Sequence, residues 1–162
     1  MYNYKIDIYL KIVFLISLIS ITSAFFIEYI LGHQPCNLCL IERIPYVLSI
    51  ILITLNFTLK KSEQFILLLL ILVFSFSLIV SIYHLGIEQG FIEESAVCSL
   101  KSTSELISKE ELLNQLESKR ISCKDVTFRI FGLSLTTFNI VISLILVILL
   151  TKIFKNYENF KK

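Results

Sequence analysis

Four stretches of this chain are almost purely apolar. Residues 12–31, 44–59, 65–85 and 130–151 are runs of Ile, Leu, Val and Phe broken mainly by Ser and Thr, and Glu28 is the single Asp, Glu, Lys or Arg within them. A helix crossing roughly 30 Å of hydrocarbon needs about 20 such residues, a length that three of the runs reach. The second falls short and is expected to borrow a turn from residues 38–43, so the predicted spans are 12–31, 40–59, 65–85 and 130–151. That extension puts Glu42 and Arg43 at the membrane interface. The first run lacks a small-residue cleavage site and runs directly into more apolar sequence, so it is expected to stay as a span. The pattern predicts an all-α polytopic membrane protein: a four-helix transmembrane bundle forming one domain over 1–162.

Composition agrees with the pattern. Of 162 residues, 56% are hydrophobic and 17% charged, and the mean hydropathy of +0.80 excludes a soluble globule. With 4 Gly and 2 Pro the chain is no low-complexity segment. A formal charge of +2 gives no reason to expect a nucleic-acid partner.

The position of the charges says more than their sum. Lys5, Lys11, Lys60, Lys61, Lys152, Lys155, Lys161 and Lys162 lie on the termini and on the tight loop between the second and third spans, against Asp7, Glu63 and Glu158. Cytoplasmic segments carry such an excess of Lys and Arg, so both termini are expected in the cytoplasm. Two loops then face outward, 32–43 and 86–129, and between them they hold all four cysteines.

The longer loop has a pattern of its own. Leu106, Ile107, Leu113 and Leu116 recur at roughly helical spacing among Lys109, Glu110, Glu111 and Glu117. Ser102 with Glu105 and Ser108 with Glu111 have capping-box spacing. A short amphipathic helix is expected there, lying on the bilayer or covering the bundle end.

Cys36 and Cys39 form a C-x-x-C just before the second span, and Cys98 and Cys123 bracket the loop pattern. Outside the cytoplasm, two disulfides are the expectation. A C-x-x-C ring is too small to stabilise much by chain entropy and suits thiol exchange better than stapling, whereas Cys98 with Cys123 alone reads equally as a brace for the loop. Four thiolates could instead form a tetrahedral zinc site, but a second C-x-x-C or a histidine partner would be usual. Haem attachment is disfavoured because Leu40 stands where a histidine would follow the motif.

Asn37 is a good N-cap, which puts Cys39 in a first helical turn where backbone N–H groups and the helix dipole favour a thiolate. Pro45 then demands either a kink or a fresh helix start. Arg43 follows Cys39 by four residues and can support a thiolate or bind a ligand oxygen; equally, it can snorkel to head groups or pair with Glu42. Glu28 and His84, each about a turn from an outer boundary, read either as interfacial anchors or as site residues.

Taken together, Pro35-Cys36-Asn37-Leu38-Cys39 with Glu42 and Arg43, Tyr83-His84-x-Gly86-x-Glu88, Cys98, and Cys123 followed by Arg129, Gly132, Leu133 and Ser134 are similar to a known pattern. Over nearly its whole length the chain resembles the DsbB family, inner-membrane quinone oxidoreductases of bacterial disulfide formation. The resemblance implies catalytic roles for Cys36, Cys39, Cys98 and Cys123. Cys98 would form the mixed disulfide with a periplasmic, DsbA-like thioredoxin-fold partner, Cys123 would be its loop mate, and Cys39 would react with a membrane quinone, ubiquinone or menaquinone. Arg43 and His84 would contact that quinone, and no metal is implied. A dithiol oxidant of the DsbA type sits near about −120 mV, so its reoxidation requires an acceptor of higher potential. Two other readings remain: a structural or accessory bundle whose disulfides brace loops, and a DsbB relative serving a dedicated partner or running in the reducing direction.

Overall fold

The computed structural model describes residues 4–59, 63–93, 98, 122–124, 128–130 and 132–157. The helix expected around 106–117 lies outside them. The described elements are α1 (Tyr4–Tyr29), a short α2 (Asn37–Ile41), α3 (Ile44–Leu59), α4 (Glu63–Glu88), strands β1 (Arg129–Ile130) and β2 (Leu133–Ser134), and α5 (Leu135–Lys155). With α2 and α3 taken as one span, four helical segments are long and apolar enough to cross a membrane. The architecture is an all-α polytopic bundle.

The helices are apolar on both faces, which sets the environment they require. Phe74, Leu67, Leu70, Leu146 and Leu150 are fully buried with Val13 and Ile53, yet Leu15, Ile19, Ile79 and Ile148 stand exposed on the outer surface. A surface of that kind belongs in lipid, where the helix satisfies its own backbone. In lipid the hydrophobic effect no longer drives helices together, so packing and small polar contacts select neighbours. Ser49 Oγ donates to Ser17 Oγ at 2.8 Å, joining α3 to α1. The Ser77 and Ser143 hydroxyls, 3.0 Å apart, join α4 to α5, and Tyr46 meets Phe74 edge-on at 5.8 Å between α3 and α4.

Local sequence sets the element ends. Pro45 falls in the first turn of α3, where its missing N–H is not needed, and a turn at Glu42 and Arg43 separates that helix from α2. Residues 129–134, ahead of α5, pair in antiparallel register, Arg129 with Ser134 and Ile130 with Leu133, around Gly132 at φ +82°. Ser134 then caps α5 by accepting from the Thr137 N–H at 3.4 Å.

At the end of α4 the chain turns back on itself. Gly90 adopts φ +76°, and the Phe91 and Ile92 N–H groups both donate to the Gly86 carbonyl, at 2.9 and 3.1 Å. A side chain is strained in that conformation. Gly90→Ala is therefore expected to destabilise the protein by about 1–2 kcal/mol, read as a lower unfolding midpoint in detergent; an unchanged midpoint would contradict this account of the turn.

Candidate functional site

The C-x-x-C lies where α2 begins, and its spacing creates the local geometry. Cys36, rather than the expected Asn37, is the N-cap: at φ −73°, ψ 169° its sulfur accepts the Cys39 N–H at 3.2 Å. The reason is register. A cap side chain reaches the amide three residues on, and in a C-x-x-C that amide belongs to the second cysteine.

α4 brings His84 onto this cap. The ring is 1% exposed, with Nε2 3.5 Å from Cys36 Sγ and Nδ1 donating to Glu42 Oε1 at 2.9 Å. Glu42 Oε2 accepts from Asn139 Nδ2 at 3.0 Å, an amide that also donates to Ser81 Oγ at 2.7 Å. Tyr46 in turn donates its hydroxyl to Asn139 Oδ1. Each Glu42 oxygen thus has a partner, as a buried carboxylate requires. Thr136, whose Oγ1 is 3.3 Å from His84 Nδ1, donates to Glu88 Oε1 at 2.5 Å, and that carboxylate oxygen lies 3.7 Å from His84 Nε2.

These contacts act on Cys36. Its pKa is lowered to about 5, first by the hydrogen bond from the Cys39 thiol and then by the hydrogen bond and charge of His84, against a burial that pushes it up. The stabilised thiolate of the reduced pair is therefore at Cys36. Sequence reasoning placed it at Cys39 because it assumed a cap one residue later.

Arg43 points elsewhere. Its guanidinium pairs with Glu28 of α1 and lies 5.4 Å over the Phe25 ring, so neither a contact with Glu42 nor a helical i,i+4 relation to Cys39 describes it. Arg43, Cys39 and His84 nonetheless line one cavity of about 330 Å³, whose apolar wall includes Ile27, Phe138 and Ile142. Cys98 and Cys123 are joined as a disulfide with Cα atoms 5.4 Å apart, and they are buried in a cluster with Cys36, Leu38 and Ile87 against which Cys39 packs. All six residues singled out from the sequence converge here. Missed were Glu42 as the histidine's partner, Glu28 as the arginine's, and Asn139, Thr136 and Tyr46. Asn139 and Thr136 did carry a signal, as polar residues inside an otherwise apolar run.

The family profile described as Disulfide bond formation protein DsbB matches residues 7–153. The chain belongs to the DsbB family. Among curated proteins it is similar to the uncharacterized protein RP370 of Rickettsia prowazekii (strain Madrid E), with 31% identity over 137 residues that cover 83% of this chain and 80% of that protein. No solved structure matches. DsbB membership and the four apolar spans make this a multi-pass membrane protein of disulfide-bond formation, with thiol oxidoreductase chemistry.

In the fully reduced protein, Cys36 is expected to alkylate with iodoacetamide faster than Cys39, since the thiolate is the nucleophile. The rate should hold on acidification below neutral pH and fall only near about 5. His84→Gln removes a group that lowers this pKa, so the fall should move to higher pH. Peptide mass spectrometry reads both sites, and faster labelling of Cys39 would refute the assignment.

Proposed function

We propose that the protein is a bacterial inner-membrane thiol:quinone oxidoreductase that reoxidises a periplasmic, DsbA-like dithiol. The observation that carries this reading is the meeting of two cysteine pairs in one buried cluster, with Cys39 also facing a largely apolar cavity beside Arg43 and His84. The lysine-rich termini support an orientation with both ends cytoplasmic and the cysteine loops periplasmic.

Sulfur exchange proceeds by thiolate attack through mixed disulfides. The partner's two thiols reduce Cys98–Cys123, with Cys98 taking the mixed disulfide, and the partner leaves as a disulfide; two electrons and two protons now reside on the loop pair. Cys123 attacks Cys36 of a Cys36–Cys39 disulfide, and Cys39 departs as a thiolate. Cys98 then attacks Cys123, which releases Cys36 and restores the loop disulfide. His84, held by Glu42, keeps a ring nitrogen at the Cys36 sulfur, where it can take or return a proton. The cavity suits a quinone: Ile27, Phe138 and Ile142 offer apolar contact, and Arg43 and His84 offer donors for carbonyl oxygens. When bound, a quinone would take up the two electrons that the reduced Cys36 and Cys39 pair gives up as its disulfide forms, together with two protons from the site and the surrounding water.

Protein in detergent, fully reduced, freed of reductant and supplied with ubiquinone or menaquinone without oxygen, is expected to lose free thiols only when quinone is present. Cys39→Ser should abolish quinone reduction. Four persistent thiols in folded protein would overturn the reading and favour a bundle whose disulfides merely brace loops. Arg43→Met removes a charged hydrogen-bond donor worth about 1.5–3 kcal/mol, so kcat/KM for quinone should fall roughly 10- to 150-fold.

A further inference from the structure

Cys36, Cys39 and His84 each present a ligand atom, and these atoms all lie within 4.8 Å of one another. In a tetrahedral zinc site, with Zn–S about 2.3 Å and Zn–N about 2.0–2.1 Å, a sulfur and a nitrogen sit about 3.6 Å apart. Cys36 Sγ and His84 Nε2 are 3.5 Å apart, which is such an edge.

A second observation is independent of the sulfurs. Metal-binding histidines characteristically donate their other ring N–H to a carboxylate, which fixes the tautomer and aims the free nitrogen. His84 Nδ1 donates to Glu42 Oε1 at 2.9 Å, and Glu42 is itself held by Asn139. Nε2 is thereby turned toward the sulfur. The fourth position has a candidate in Glu88: it lines the same cavity, its Oε1 is 3.7 Å from Nε2, and its buried Oε2 has no hydrogen-bond partner among the described residues.

We propose that the reduced Cys36 and Cys39 pair, with His84, is a binding site for a thiophilic divalent cation of the zinc type, and that occupation blocks electron transfer out of the pair. Binding stands on this geometry alone, while the inhibitory consequence rests on the proposed redox function. The ion binds the Cys36 thiolate, displaces the thiol proton of Cys39 and any proton on His84 Nε2, and undergoes no redox change; both sulfurs become ligands, so neither is available to form the Cys36–Cys39 disulfide.

The test uses full-length protein in detergent, reduced and desalted under argon, titrated with Co²⁺ as an optical probe and then with Zn²⁺ in competition. One ion per chain should bind with a tetrahedral thiolate spectrum, in the wild type and equally in the Cys98→Ser/Cys123→Ser variant. Cys39→Ser and His84→Gln should each lose at least a hundredfold in affinity, and Glu42→Gln about 10- to 100-fold. Equal binding by His84→Gln, or by protein whose Cys36 and Cys39 are oxidised, would overturn the proposal. Should a variant aggregate, X-ray absorption of the zinc-loaded wild type decides: two sulfurs with at least one nitrogen support the site, and a four-sulfur shell refutes it. Quinone-dependent thiol loss in metal-free protein is scored separately, so failure of the metal site and failure of the oxidase reading are distinguishable.

Discussion

The site depends on one buried contact, that between Glu42 and His84. An ionisable pair near the end of a membrane bundle is expensive unless every oxygen and nitrogen is satisfied, and breaking such a pair from one side costs about 3–5 kcal/mol in soluble proteins. Here both carboxylate oxygens are occupied, one by His84 from α4 and the other by Asn139 from α5. The contact therefore locks the junction of α2 and α3 to the two helices across the bundle. It also removes the freedom of the imidazole ring. With Nδ1 committed to Glu42, Nε2 faces Cys36, so the histidine's share in stabilising that thiolate, which follows the share of the Cys39 thiol, depends on a hydrogen bond made on the far side of the ring.

The break between α2 and α3 makes that contact possible. A helix running unbroken from Asn37 would place Pro45 in its interior, against the ladder. The turn at Glu42 and Arg43 relieves this, and it sends two adjacent opposite charges to different partners. Glu42 reaches α4 and α5, while Arg43 reaches Glu28 on α1. Four helices are thus tied at one level by two neighbouring residues, with the cysteines on the short helix just before them.

Much of the fold was legible because membrane spans are written locally, in length and hydropathy, and because C-x-x-C, Arg43 and His84 occur in a recognisable local order. The partners were not legible. Glu42 meets a histidine 42 positions away and an asparagine 97 away, and one sequence carries no sign of which helices are neighbours. Asn139 stood out as a polar residue in an apolar run, yet nothing local distinguishes a lone interhelical contact from part of a site. The cap was misplaced for a subtler reason. Asn is the better N-cap by propensity, but Cys36 offers its sulfur at the right register and is stabilised by His84 from another helix, so tertiary context overrode propensity.

The same geometry divides labour between two cysteines only three residues apart. Both cysteines line the cavity that Arg43 also lines, but Cys36 is buried with the Cys98–Cys123 disulfide and holds the stabilised thiolate, whereas Cys39 packs at the edge of that cluster. Under the proposed reading this asymmetry gives exchange a direction. Attack from the loop falls on the sulfur buried with the loop disulfide, and the electron pair is expelled onto the other sulfur, at the edge of the cluster. A C-x-x-C on an exposed loop would offer either sulfur to either reagent. Placed at a helix start beside a histidine and an apolar cavity, the pair instead keeps one sulfur within the cluster of the loop disulfide and the other at that cluster's edge, so the two are not equivalent to an attacking thiolate.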